Sequence, residues 1–430
     1  MTVYLREPDP VPAQFRHPAF LAALAVDGDD VDVGATTRWR TIAAGFLVLR
    51  QIDIWATEQV VLRSAWQATT AMIDELPVEN PARQLLNDVA SAVLSTTALA
   101  GSTSALVCLV AYARALEHDA EWALARDVYS VVVDHAETLD GPDLLPDALQ
   151  RLGYCRRLLG DVDGAAAAFS AGRELAEAQK NVAAELRLRL SEANLLTHRG
   201  NLPAAASSLD TLIADAASMG ETQLVAAARH GRALVAYAQG DNERAALLCY
   251  SAADAYDDDR RRVAALADLA NCVAALGRPE LARRVNEIVF ATSDVREFRW
   301  SAGINLLEAA ATDMREVVFE TYRRVLADEP LPPPLLAAFH LATGRGYAKF
   351  GRAILARRAL ACALDVSTKA SLNQITIQAD EALMTLSEAR EERSALKPER
   401  STFPARHVPS PALDQLAAAI DQLHATTVVG

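Results

Sequence analysis

The 430-residue chain has few aromatic residues, 6% of the total, and lysine only at positions 180, 349, 369 and 397. With so few rings, a core must be built from alanine, leucine and valine, which suits closely packed helices and suits a sheet poorly. The five cysteines, Cys108, Cys155, Cys249, Cys272 and Cys362, are odd in number and form no C-x-x-C pair. Each stands in an apolar helical pattern, so the expectation is buried, reduced thiols and no disulfide framework. No apolar run reaches the roughly 18 residues that a membrane span requires. Residues 1–30 hold Pro8, Pro10, Pro12 and Pro18 and lack the basic start and apolar run of a secretion signal. A cytoplasmic protein without membrane attachment is therefore expected. Acidic residues outnumber basic ones by 56 to 42, a net charge of −14. That balance opposes binding to nucleic-acid phosphates, so no nucleic-acid partner is expected.

Catalytic patterns are equally scarce. There is no H-E-x-x-H, no G-x-S-x-G and no Cys/His cluster with metal-ligand spacing. Gly344-x-Gly346 followed by Gly351 has the wrong spacing for a dinucleotide loop and no strand before it. Asp27, Asp29 and Asp32 start like a calcium loop but lack its glycine and closing glutamate, and read as a solvated acidic loop. His118, His135, His198, His230 and His340 share no spacing with Ser or Asp that would build a triad. The expectation is a non-enzyme with no cofactor and no metal.

What the chain does have is recurring punctuation. Gly160, Gly200, Gly240, Gly277 and Gly351 are each followed five residues later by an alanine: Ala165, Ala205, Ala245, Ala282 and Ala356. The steps between these glycines are 40, 40, 37 and 74, the last being two periods of 37. A fixed period of this size marks a stacked array in which each unit buries its apolar face against its neighbours. Glycine can take the positive φ that ends one helix, and the small alanine lets the next helix cross closely. Asp161, Asn201 and Asp241 suit turns and helix caps, while Pro203 and Pro279 suit a first helical turn. The missing period before Gly351 is expected at Thr312-Asp313, and an earlier, degenerate turn at His118-Asp119, followed by Ala123.

The best unit, residues 149–175, also carries Leu152-Gly153 and places Phe169 four residues after Ala165. In these features it resembles the tetratricopeptide repeat, with Leu149 and Arg156 standing where that family has Trp and Tyr. The long period is similar to that of the tetratricopeptide-like units of large bacterial signalling regulators. The resemblance implies an all-α fold, a right-handed α-solenoid of antiparallel helix pairs whose first helices line a concave groove. By the family's pattern that groove would present Gln150, Arg151, Tyr154 and Arg157 from one unit and Arg187, Ser191, Asn194 and His198 from the next. His230 and Tyr237, then Asp268 and Asn271, and finally Arg345 and Lys349 would follow. Asn194 and Asn271 share a repeat position, and an amide can both donate to and accept from a peptide backbone. The arginines and Lys349 could receive carboxylates.

The organisation expected is an extended segment (1–36), N-terminal helices that are degenerate repeats or a cap (37–117), the array (118–395), a Pro-bearing linker (396–410) and a C-terminal amphipathic helix (411–430). In that last helix Leu413, Leu416, Ile420 and Leu423 fall at helical steps, and it must dock in the concave groove, on another molecule or, as is commonest, on the open end of the array. The function expected is an intracellular scaffold holding a peptide or protein segment. The alternative is a ligand- or peptide-responsive regulator acting through a separate output protein.

Overall fold

Every described secondary-structure element is helical. The computed structural model describes residues 16–26, 33–95, 103–139, 141–370, 372–392 and 410–429, and none of these is in a strand. In chain order the helices are α1 (Pro18–Val26), α2 (Val33–Glu58), α3 (Arg63–Asp74), α4 (Pro81–Ser95), α5 (Thr103–His118) and α6 (Trp122–His135). There follow α7 (Leu145–Leu158), α8 (Val162–Ala178), α9 (Val182–His198), α10 (Leu202–Ser218), α11 (Thr222–Ala238), α12 (Asn242–Ala255) and α13 (Asp259–Ala275). The remainder are α14 (Pro279–Thr292), α15 (Arg296–Thr312), α16 (Glu316–Ala327), α17 (Pro333–Lys349), α18 (Ala353–Lys369), α19 (Asn373–Glu392) and α20 (Pro411–His424). They form two compact units, residues 1–201 and 202–430, each containing a solenoid of antiparallel helix pairs. No described helix is long and apolar enough to cross a membrane.

The pairs are made by one backbone device. Gly160, Gly200, Gly240, Gly277 and Gly351 all take positive φ, between 70° and 82°. Ala120 at 60° and Met314 at 58° complete the series. The turn residues thus fall at 120, 160, 200, 240, 277, 314 and 351, three steps of 40 and then three of 37. The two glycine-less turns lie one or two residues beyond the expected His118-Asp119 and Thr312-Asp313. At Gly160 the turn residue donates its N–H to Arg157 (3.1 Å), and Asp161 donates to the Arg156 carbonyl (2.9 Å). Met314 and Arg315 repeat this toward Ala311 and Ala310 at 3.4 and 2.8 Å. These bonds satisfy carbonyls that the end of a helix leaves unpaired. The Asp161 and Asp241 carboxylates then accept the Gly164 and Arg244 N–H groups and cap the following helices.

Five residues past each turn a small side chain is buried: Ala125, not the expected Ala123, after the first turn and Ala165, Ala205, Ala245, Ala282 and Ala356 after others. Phe319 stands there once, and Gly346 on α17 makes room for it, because a Cβ at Gly346 would lie 2.2 Å from the Phe319 ring. Gly344 fits against Leu360 in the same way. Gly344 and Gly346 of the faint dinucleotide pattern are thus clearance for neighbouring side chains inside α17, and Gly351 is a turn residue. The shortening of the period from 40 to 37 has one origin. The helices before the turns, such as α9, α11 and α13, keep 17 residues. Those after the turns drop from 17 in α8 and α10 to 14 in α12 and α14.

In the second unit the first helices of successive pairs touch one another, α11 to α13, α13 to α15 and α15 to α17, and α17 touches α19. The second helices α12, α14, α16 and α18 make no comparable contact among themselves. The first helices therefore form the crowded side of this stack and the second helices the spread side. The C-terminal helix α20 lies on that spread side, against α12 and α14, and not on the end of the array as expected.

The lead expected to be extended contains the nine-residue helix α1. Pro18 is acceptable at its first position, the Asp127 carboxylate accepts the Ala19 N–H at 2.8 Å, and Phe20 is fully buried. α1 packs on α2 and α6, and the 26-residue α2 packs on α1, α3, α4 and α6, so these helices share one core with Trp66, Tyr112 and Tyr129. Inside it Asp53 accepts bonds from His135 (2.6 Å), His17 (2.9 Å) and Arg16 (3.1 Å). Burial alone raises a carboxyl's pKa, but the two histidines outweigh it and hold Asp53 far below the usual range. The expectation of five buried thiols is corrected at two positions: Cys362 is exposed and Cys108 only half-buried. The acidic loop at 27–32 and nearly all of the 396–410 linker fall outside the described residues.

Candidate functional site

The faces expected to line the groove lie on the first helices, α7, α9, α11, α13 and α17. On α7 the buried residues Leu149, Leu152, Gly153 and Cys155 turn toward the core, leaving Gln150, Tyr154 and Arg157 on another face. The structure divides the expected residues into two groups.

The first group is committed to rungs between neighbouring pairs. Gln150 donates to Ser191 Oγ (3.1 Å) and to the Arg187 carbonyl (3.2 Å), and Arg187 pairs with Asp147 at 2.8 Å. Arg151 reaches Glu117 on α5 at 3.2 Å, and His230 bonds Asp268 at 2.8 Å. Lys349 donates to Thr312 Oγ1 at 2.9 Å. The partners in these rungs are 34 to 41 positions apart, the repeat period itself. Arg187, expected to receive a partner's carboxylate, already holds one from its own chain.

The second group has its polar atoms open. Among the described residues no carboxylate pairs with Arg157, whose guanidinium lies over the Tyr154 ring at 5.2 Å. Tyr154 in turn meets Trp122 edge to face, with centroids 5.7 Å apart. Asn194, His198 and Asn271 have no side-chain hydrogen bond among the described residues, and Tyr237 is exposed. Among the described residues Arg345 makes one long side-chain contact, 3.4 Å, to Gln378.

Counting back six residues from each of the seven turn residues gives one repeat position: Arg114, Tyr154 and Asn194 in the first unit, and Leu234, Asn271, Glu308 and Arg345 in the second. Sequence reasoning missed Glu308 because its turn has no glycine. Had Met314 been taken as the turn residue, the spacing would have pointed to it. Glu308 is exposed, yet crowding by the surrounding protein raises its pKa, with Arg345 and Lys349 pulling the other way. Glu308 lies on α15 and Arg345 and Lys349 on α17, two first helices that pack on each other in the second unit.

A separate cavity of about 570 Å³ opens in the first unit between α2, α5, α6 and the turn from α3 to α4. Thr41 and Asn80, bonded at 2.8 Å, and the Arg38–Glu121 pair at 2.9 Å mark its polar edge, with Ile42, Leu116 and Leu124 beneath. No group of three or more His, Cys, Asp or Glu among the described residues is arranged to hold a metal ion.

No protein-family model matches the chain, and no curated protein matches it in sequence. Several solved structures are similar to it. The apo form of RapI is 9% identical, with 84% of this chain and 98% of that one covered and a TM-score of 0.47. A Rap protein in complex with competence and sporulation factor is 12% identical, with 88% and 99% covered and a TM-score of 0.43. NprR in complex with its cognate peptide NprX is also 12% identical, with 83% and 100% covered and a TM-score of 0.43.

Proposed function

We propose that this protein is a non-enzymatic scaffold that holds a peptide or extended protein segment along its first helices. The observation that carries the reading is the set of open polar side chains on the first helices of each unit. Asn194 and Asn271 offer unpaired amides at one repeat position, and an amide can grip a peptide backbone through both its N–H₂ and its C=O. Gln150, Arg151, Arg187, Ser191, His230 and Asp268 stiffen the wall by their rungs and leave contact with the ligand to their neighbours. In the first unit Arg157, open and backed by Tyr154, suits an acidic side chain. In the second unit the exposed Glu308 and Arg345 suit a segment carrying both signs of charge. The 570 Å³ cavity is smaller than such a segment needs and has no place in this reading.

Affinity capture from the native organism, read by mass spectrometry, tests the assignment. The intact chain should recover a partner that the triple variant Arg157→Glu, Asn194→Ala, Asn271→Ala loses, with helix content by circular dichroism unchanged. Equal recovery by both refutes the first-helix face as the binding surface.

A further inference from the structure

A second docking surface lies on the opposite, spread side of the second unit. Because α12 and α14 stand apart there, a channel runs between them, and α20 is seated in it. Leu413, Leu416 and Ile420 are buried in the channel, with Ala417 and Leu423 packed at its edges. Polar contacts clasp both ends of the helix. Ser410 caps α20 and donates to the Glu243 carboxylate at the start of α12. At the other end Asp421 pairs with Arg284, and the His424 ring bonds Glu287 at 2.6 Å, both partners being on α14. Glu287 is held in place by Arg283 at 2.6 Å.

We infer that the channel between α12 and α14 is a helix-docking site, that α20 is its exchangeable tethered occupant, and that a partner's amphipathic helix bearing the same pattern takes its place. Three observations argue for exchange. A helix of 14 residues gains its order from the surface on which it sits, not from its own propensity. Its apolar footing is one stripe of three fully seated side chains, whereas α13 buries seven residues and α15 eight. Its main contacts among the described residues are with α12, α14 and its own terminal π turn, Ala425–Val429, while α19, its sequence predecessor, packs on α17 and α18. The seat also defines the ligand: apolar residues at positions equivalent to 413, 416, 420 and 423, and a carboxylate at 421 to meet Arg284. This surface is made by second helices and is independent of the first-helix side chains, so either reading can fail without the other.

The test uses the full chain with a protease recognition sequence placed between Lys397 and Pro409, cut after folding. On dilution α20 should leave, and a fluorescein-labelled peptide of residues 408–430 should rebind saturably by anisotropy. A peptide of unrelated background with Leu at the four apolar positions and Asp at 421 should bind comparably, and its scrambled form should not bind. Leu416→Asp in the labelled peptide should weaken binding about a hundredfold, the equivalent of one fully buried leucine. Asp421→Arg should weaken it about tenfold and recover on a chain carrying Arg284→Asp.

Three outcomes would overturn the proposal. If the cut segment stays bound through exhaustive dilution, α20 is a fixed part of the fold. If circular dichroism collapses once it leaves, α20 is part of the core. If the uncut chain is a dimer that Leu416→Asp/Ile420→Asp converts to monomer, the visiting helix comes from a second copy and not from a partner.

Discussion

Replacing Gly240 by alanine isolates the cost of the left-handed turn, because a Cβ added there meets nothing within 4 Å. Steric crowding therefore contributes nothing, and only the backbone conformation at φ 81° is at issue. A side-chain-bearing residue in this region costs about 1–2 kcal/mol relative to glycine. The alanine chain loses less entropy on folding, which returns about 0.4–1 kcal/mol. The net is a destabilisation of about 1 kcal/mol. Met314 allows the opposite experiment at an equivalent turn, φ 58°, with a side chain that is 60% exposed and so surrenders little packing. Met314→Gly relieves the strain, gives back the entropy, and should stabilise by up to about 1 kcal/mol. Urea unfolding followed at 222 nm, with the parent chain as reference, reads both, and thermal midpoints should move in opposite directions by about 2–4 °C. A neutral or stabilising Gly240→Ala, or a Met314→Gly that destabilises, would refute the turn as the element that sets the repeat.

Other outcomes follow from particular contacts. Gly346→Ala should cost about 2–3 kcal/mol by driving a methyl into the Phe319 ring, and Phe319→Leu in the same chain should recover part of it, measured by the same unfolding curves. Asp53→Asn should cost about 3 kcal/mol, because His17 and His135 lose the charge they share. In the parent chain Asp53 titrates below its ordinary value of 3.8. Its contribution is therefore complete above that value and lost as the pH falls below it; an acid titration in which Asp53→Asn removes none of this loss would refute the assignment. Arg187→Glu should cost less than about 1 kcal/mol, since the rung to Asp147 is largely exposed, and the added Asp147→Arg should restore it.

The hairpin array was legible because its punctuation is chemical. Glycine is the residue that takes positive φ freely, so five of the seven turns announce themselves in the sequence. Ala120 and Met314 adopt the same conformation under the pull of the stacked helices on either side, and no side chain marks them. That displaced the two expected turns and hid Glu308. The groove faces were legible as positions but not as open or occupied. A rung such as Gln150 to Ser191 joins residues a full period apart, and whether the two side chains meet depends on how closely α7 and α9 approach. The seat of α20 was not legible at all. Its stripe of leucines says that it must dock, but the gap between α12 and α14 arises from how the helices spread and leaves no pattern of its own.

The rungs give the second unit unequal mechanical sides. Its first helices are in contact and cross-linked by His230–Asp268 and Lys349–Thr312, so that chord resists lengthening. On the opposite chord Arg352 at the start of α18 reaches Glu316 on α16 at 3.1 Å and the Phe290 and Tyr322 rings join α14 to α16, while α12 and α14 are linked through α20. α20 sits as a wedge in the gap between them. It is held to α12 through Ser410 and to α14 through Asp421 and His424, so the α12–α14 step of the spread side owes its lateral ties to the last helix of the chain.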